Sequence, residues 1–417
     1  MEVQLMKKQK ENKCSMKLSD FCEVIVDCEH KTAPIQESGI PCIRTKNIFN
    51  GYLDLNGANK VSEDTYLLWT KRLEPCPRDI ILAREAPVGE VGIVPKGERV
   101  CLGQRTVLIR PNKKLVDPYY LLYLLLTKEM KNEMNCKAEG STVPHLNMSE
   151  IRSLNMPDLP SLAEQISISS IIRTLDDKIE LNRQMNSTLE QIAQALFKRW
   201  FIDFEFPDEN GNPYRSSGGR MVDSELGKIP EGWGVGKLGD IAEEIRKNVK
   251  VENINPETPY FGLEHIPRKS ISLSDWGNAN EISSNKLIFE KDNILFGKIR
   301  PYFHKVGVAP IDGVCSTDII VISPEENYYS FVLSIVSSEK FVEYATQTSE
   351  GTKMPRANWR TLVKYPVAIP DKSISKRYNE VISDFVDIIQ KNIFECKTLS
   401  QIRDSLLPKL MSGKIRV

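Results

Sequence analysis

Arginine, lysine, asparagine, glutamine and histidine crowd into the segments between short apolar runs. In the first half these are His30, Lys31, Arg44, Lys46, Asn47, Arg84, Gln104, Arg105 and His145. In the second half, with one acidic residue among them, they are Glu264, His265, Lys298, Arg300, His304, Lys353 and Arg356. Arginine and lysine suit guanine O6 and N7, and asparagine and glutamine suit adenine N6 and N7. Lysine and arginine also suit phosphates. Each residue taken singly reads as ordinary surface charge. Their concentration at corresponding places in the two halves is what points to a reader of nucleic-acid edges.

Catalytic chemistry does not assemble in the same way. No Gly-x-x-x-x-Gly-Lys-[Ser/Thr] loop is present, so a phosphate cradle of that kind is excluded. Gly232-Trp233-Gly234-Val235-Gly236 fits no dinucleotide fingerprint. The four histidines lack metal-ligand spacing. Asn212-Pro213-Tyr214 resembles the Asn-Pro-Pro-aromatic motif of amino-methyltransferases but lacks its second proline. Asp176 and Asp177 read as a solvated helix face. The nine cysteines (Cys14, Cys22, Cys28, Cys42, Cys76, Cys101, Cys136, Cys315 and Cys396) are odd in number and irregular in spacing. With no Cys-x-x-Cys among them they read as reduced structural thiols, neither a disulfide framework nor a zinc site. The expectation is a chain with no catalytic centre and no metal of its own.

Lys+Arg and Asp+Glu both number 56, so the formal net charge is zero. That speaks against non-specific coating of DNA, but local basic patches still suffice for a reader, because affinity depends on the charges near phosphates. The 417 residues, 41% apolar and 27% charged, suit a globular protein of two or three domains. The polar, lysine-rich residues 1–15 read as a disordered lead-in. No long apolar run is present, and the cytoplasm is the expected compartment.

The elements that must position the polar residues occur twice. Lys17-Leu18-Ser19-Asp20 returns as Lys237-Leu238-Gly239-Asp240. Arg78-Asp79-Ile80-Ile81-Leu82 returns as Lys291-Asp292-Asn293-Ile294-Leu295, and Val91-Gly92-Ile93-Val94-Pro95 as Val306-Gly307-Val308-Ala309-Pro310. Val100-Cys101 returns as Val314-Cys315, each before an alternating strand that ends at Pro111 or Pro324. Glu139–Asn147 returns as Glu350–Asn358. Matches in one order mark an internal duplication. Short β-branched runs at 91–94, 105–109, 293–296 and 319–322 predict strands. Helices are expected at 118–128 and 328–344. Each half is then a mixed domain with a mainly antiparallel sheet.

Each half ends in a long helix. Heptad positions in the first are Ile172, Leu175, Ile179, Asn182, Asn186, Leu189, Ala193 and Leu196. Their counterparts are Ile382, Phe385, Ile389, Asn392, Cys396, Leu399, Arg403 and Leu406. The shared phase predicts that the helices pack on each other as a spacer. Asn182 and Asn392 share a heptad position, and as register devices in an antiparallel pair they are expected to meet. The segment between the halves is rich in Gly, Pro, Asn and Ser and predicts a surface linker.

The chain resembles the specificity subunit of Type I restriction–modification enzymes. The carriers are Asp27–Pro34, Gly39–Ile48, Leu189-Glu190-Gln191-Ile192, Leu196–Phe201, Asn210–Gly219 and Leu406–Gly413. The resemblance implies an α+β fold with two pseudo-two-fold-related target recognition domains separated by two long antiparallel, coiled-coil helices. Its boundaries fall at 16–160 and 233–371 for the recognition domains, 161–204 and 372–417 for the spacers, and 205–232 for the linker. It implies double-stranded DNA, two methyltransferase subunits and motor–nuclease subunits as partners. S-adenosylmethionine, ATP and magnesium would belong to those partners and not to this chain. The second half carries Phe261-Gly262-Leu263-Glu264-His265-Ile266 where the first carries Ile43-Arg44-Thr45-Lys46-Asn47-Ile48, so two different half-sites are expected. A coiled-coil adaptor without DNA contact, or a self-contained nuclease or methyltransferase, are the alternative readings.

Overall fold

The structure is a computed structural model that describes residues 16–140 and 143–417, with only the backbone of Glu281. The expected lead-in at 1–15, with Cys14, and the repeat residues Ser141 and Thr142 lie outside the described residues. The chain divides into two compact units. One runs to Asp177 and resumes at Ser400–Val417; the other is Lys178–Leu399. Among the described residues no helix is long and apolar enough to cross a membrane.

In the first unit, β1 (Cys22–Asp27), β2 (Ile40–Ile43), β3 (Asn59–Val61), β4 (Ile80–Ala83), β5 (Val91–Ile93), β6 (Cys101–Leu102) and β7 (Thr106–Pro111) form two sheets. One is antiparallel in the order β1-β7-β4-β5. The other runs β3-β2-β6, with β2 and β6 parallel. Side chains alternate across a strand, and here both faces are buried. Ile80 and Leu82 enter the core beneath α1 (Pro118–Leu126) and α2 (Lys128–Lys137), which also takes Ile168, Ile172 and Leu410 from the long helices. Ile81 and Ala83 face the other way, onto Ile43 and Leu102 of the second sheet. Apolar runs without polar interruption follow from burial on both faces.

The helix expected at 118–128 ends at Leu126 and a second follows it directly, and the helix expected at 328–344 is divided in two. The Asp117 carboxylate accepts the Tyr120 N–H at 2.9 Å and starts α1. Thr127 then accepts the Met130 N–H and starts α2. A hydroxyl that bonds the backbone ahead of it favours a cap over a continued helix. Ser338 does the same for Phe341 in the second unit.

The first long helix, α3 (Leu162–Phe197), has 36 residues and spans about 54 Å at about 1.5 Å per residue. The segment after it lies at the surface over 207–228, with aromatic anchors at its ends. Phe206 and Trp233 are buried, Phe206 stacks on Tyr214 and on Trp233, and β8 (Met221–Ser224) pairs with β9 (Gly227–Pro230) as a hairpin. Turn-rich composition correctly marks reversals of the chain here, but four aromatic side chains, Trp200, Phe201, Phe206 and Trp233, anchor the segment in the core.

The second unit repeats the first. Its β10 (Ala242–Glu244), β11 (Asn248–Val249), β12 (Pro259–Phe261), β13 (Gly277–Asn278) and β14 (Lys286–Phe289) precede β15 (Ile294–Gly297), β16 (Val306–Val308), β17 (Gly313–Cys315) and β18 (Ile319–Pro324). The antiparallel sheet runs β10-β18-β15-β16, and the second sheet, now five-stranded, runs β11-β14-β17-β12-β13. The β12–β17 pair is parallel, as β2–β6 is. Helices α4 (Tyr329–Val336) and α5 (Glu339–Gln347) follow, then α6 (Lys372–Met411).

Backbone bonding corrects two of the sequence matches by one residue. Asp79 Oδ2 accepts the Cys76 N–H and Asn293 Oδ1 accepts the Glu290 N–H, both at 2.8 Å, so Asp79 matches Asn293 and not Asp292. Gly103 N–H bonds the Ile43 carbonyl and Ser316 N–H the Phe261 carbonyl, so Leu102, not Cys101, matches Cys315. A one-residue slip preserves letters but exchanges the faces of a strand.

Candidate nucleic-acid interface

The ends of β2, β4 and β6 and the start of β7 converge in the first unit. After β2, Arg44 and Lys46 are exposed, but Asn47 is 2% exposed. Its Oδ1 accepts the Arg44 N–H at 3.2 Å and closes a tight turn. The corresponding turn in the second unit is closed by His265, whose Nδ1 accepts the Gly262 N–H at 2.9 Å. Both candidates close the turn that presents their neighbours. Glu264, on the second turn, is exposed.

At the end of β1, Asp27 Oδ2 lies 2.7 Å from Arg84 Nη1 and 3.1 Å from His30 Nε2. Arg84 Nε also donates to the Leu146 carbonyl at 2.8 Å. Arg84 is therefore a strut between β1, β4 and the loop at His145. Gln104 Nε2 donates to the His30 carbonyl at 3.4 Å, and Arg44 and Gln104 border one shallow groove. Arg105 is exposed, with Nε 3.0 Å from Glu85 Oε2. His145 bridges to Glu85 and Glu139. His30, Arg44, Gln104, Arg105 and His145 thus share one crest, and Lys31 is exposed beside His30.

Asp27, Cys28 and His30 place potential ligand atoms within 4.8 Å of one another. Spacing alone did not reveal this group. Arg84 already neutralises the carboxylate, and burial pushes the Cys28 thiol above its usual range. A cation at that distance disfavours a second one, so the group reads as a charge-compensated corner of the fold.

The second crest is built from the same loops with other side chains. Lys298 stands where Arg84 does: Ala357 N–H bonds its carbonyl as Leu146 N–H bonds that of Arg84. Lys298 Nζ donates to Thr317 O at 2.7 Å. Arg356 stands where His145 does and lies 3.7 Å from Asp318. Lys353 is exposed in the same turn. Arg300 has φ +48 at the entry to a short turn, and its Nε is buried without a hydrogen-bond partner. Its guanidinium carbon lies 5.9 Å from the centre of the Phe303 ring.

His304 is not on the crest. It is 8% exposed, with Nε2 2.8 Å from the Ser337 carbonyl. It lines a cavity of about 430 Å³ with Glu190, Ala193, Phe197 and Ser334. The matching place in the first unit holds about 80 Å³. There Arg403, at the heptad position of Ala193, lies 2.9 Å from Asp176, which also accepts from Tyr123 Oη at 2.9 Å. Asp176 is 5% exposed, so the expected solvated face holds only for Asp177.

The long helices meet within each unit along the expected heptad seam: all sixteen positions are buried or half-buried. They run antiparallel. Asn182 and Asn392 do not meet, which corrects the expected pairing. Asn392 Nδ2 donates to Asn186 Oδ1 at 2.8 Å, and Asn182 Nδ2 donates to Glu395 at 2.6 Å. The crossing is displaced by one turn from a direct match. The two-fold logic survives that displacement. Asn186 Nδ2 bonds the Ile389 carbonyl and Cys396 Sγ bonds the Ile179 carbonyl, the same contact in both copies.

Fold and crest define a duplicated scaffold: one α+β reader occurs twice, each with a long helix, and presents different polar side chains from equivalent loops. The chain belongs to the family described as Type I restriction modification DNA specificity domain, whose model matches residues 10–191 and 230–402. Its part in such a system is sequence specificity and not catalysis. It is 29% identical to the Type I restriction enzyme MjaIX specificity subunit of Methanocaldococcus jannaschii, over 91% of this chain and 87% of that protein. It is 27% identical to the HindI specificity subunit of Haemophilus influenzae, over 74% and 80% of the two chains. The crystal structure of a Type I restriction–modification S subunit from M. genitalium matches with a TM-score of 0.53 at 15% identity, covering 95% of each chain, and shares the fold.

Proposed function

We propose that each crest reads one half of a bipartite, asymmetric DNA site. The recognition domains span 16–160 and 233–371, and the helices within 161–204 and 372–417 set the gap between half-sites. The observation that carries this reading is the pairing of one backbone scaffold with two different sets of crest side chains. Lys46 corresponds to Glu264, Arg105 to Asp318 and His145 to Arg356. A scaffold under structural demand alone gives no reason for such exchange, whereas two unlike half-sites do.

The helices also dock two methyltransferase subunits, which supply S-adenosylmethionine chemistry. Motor–nuclease subunits supply ATP and magnesium chemistry, and the assembly works in the cytoplasm. Leu181, Met185 and Ile192 are exposed on α3, and spacings of four and seven residues place them on one face. Exposed apolar groups aligned on a polar helix suit a partner surface. The test is binding by the chain assembled with methyltransferase subunits to duplexes altered in each half-site separately. Affinity should fall for either alteration. A constant indifferent to both half-sites would overturn the reading and leave a coiled-coil adaptor.

A further inference from the structure

One exposed arginine in each unit is held by a carboxylate from a neighbouring loop. Arg105 Nε lies 3.0 Å from Glu85 Oε2, and Arg356 Nε lies 3.7 Å from Asp318 Oδ1. Both arginine side chains are 55% exposed, while the carboxylates are 21% and 35% exposed. The two pairs share one place, taken by the arginine in the first copy and by the carboxylate in the second. Arg84 N–H bonds the Arg105 carbonyl as Lys298 N–H bonds the Asp318 carbonyl, so Arg105 and Asp318 are counterparts. His145 and Arg356 are counterparts too, each pairing with a glutamate in its turn and bridging to the second residue after β4 or β15, Glu85 or Ile299.

The arginine has therefore moved from the turn before β7 to the turn at 350–356. A carboxylate stands where the first copy has its arginine. Backbone bonding is the same in both copies, so the fold demands neither pair. Arg105 additionally holds φ +68, a left-handed backbone that favours glycine or asparagine. Residues kept in such conformations cluster at functional sites.

We infer that Arg105 and Arg356 are the base-reading residues of the two halves, and that Glu85 and Asp318 are positioning residues that aim them. This rests on the DNA-reading function proposed above. With Nε facing a carboxylate as an ion pair, the two Nη groups are left as a planar fork that matches O6 and N7 of a guanine in the major groove. Each half-site then contains a guanine, approached from a different loop.

The test uses the chain assembled with methyltransferase subunits, selection from a randomised duplex library, and salt titration of binding to the selected duplex. Arg105→Ala is expected to relax one base position in one half-site, weaken the cognate duplex roughly ten- to hundredfold, and leave the other half-site unchanged. Arg356→Ala does the same in the other half-site. Arg105→Lys keeps the charge but loses the fork, and should lose selectivity at the same position. Glu85→Gln and Asp318→Asn should lower selectivity at those single positions while the thermal midpoint stays in place. A loss spread evenly over all positions, with the slope of log K against log salt reduced by about one, would make the arginines phosphate contacts and overturn the inference. Unchanged selectivity in both alanine variants would also overturn it. Indifference of the unsubstituted complex to both half-sites would instead remove the underlying reading.

Discussion

Arg403 can stay inside the first unit only because its charge is met. Its side chain is 17% exposed, and Asp176, at 7%, also takes the Tyr123 hydroxyl. Burial raises the Asp176 pKa against the opposing pull of Arg403 and Tyr123. Removing the cation alone strands the carboxylate, so Arg403→Ala should cost about 3–5 kcal/mol in urea unfolding. Replacing both charged residues by apolar ones of similar volume should recover most of that loss. In the second unit the heptad counterpart is Ala193, and the buried carboxylate is Glu190. Glu190 accepts from Ser270 and Ser272, yet burial still raises its pKa above the ordinary 4.5. A raised folded-state pKa means its contribution is full below about 4.5 and is lost as pH rises through the folded value. Glu190→Gln should therefore gain stability relative to the parent chain at pH 8 compared with pH 4, read from urea midpoints at each pH. A difference equal at both would show that the carboxylate titrates normally.

At the scale of the elements, the heptad pattern places the right residues in the seam but not opposite their true partners. Periodicity defines a face, and the axial offset between two helices is set by what packs at their ends. Asn186 and Asn392 share the contact that Asn182 and Asn392 were expected to make. Asn392→Leu should leave the Asn186 amide without its side-chain partner at a loss of about 1–3 kcal/mol. Adding Asn186→Leu should restore much of it, and a double-mutant cycle should give a coupling of about 0.5–3 kcal/mol. A coupling near zero would remove the register role. The sheets show the same limit. Residues 293–296 were legible as a strand, but its register relative to 80–83 needed the side-chain caps of Asp79 and Asn293.

At the scale of the whole molecule, the duplication separates what must stay from what can change. The strand orders agree, and the turn at Arg44 or Gly262 is closed by Asn47 in one copy and His265 in the other. The crest side chains differ. If the long helices set the gap, inserting one heptad at matching points of α3 and α6 adds about 10 Å, or about three base pairs at ~3.4 Å each. Mapping methylated bases in a host that carries the altered chain should show half-sites unchanged and the gap longer. An unchanged gap would remove the ruler role.

The repeat, the seam and the two sets of crest loops were all written in the sequence, because duplication, heptad period and turn chemistry are local patterns. Of the sixteen crest candidates, the sequence could not separate those that face outward from those that hold the fold. Asn47 and His265 close backbone turns, Arg84 is a strut, and His304 is buried beneath the crest. The carboxylates at Glu85 and Asp318 are not legible in the sequence for the same reason: a side chain's role depends on what lies across space from it. Only the tertiary structure brings residues from four separate loops within reach of one another, and only there does Asp318 stand in the place that Arg105 holds in the first copy.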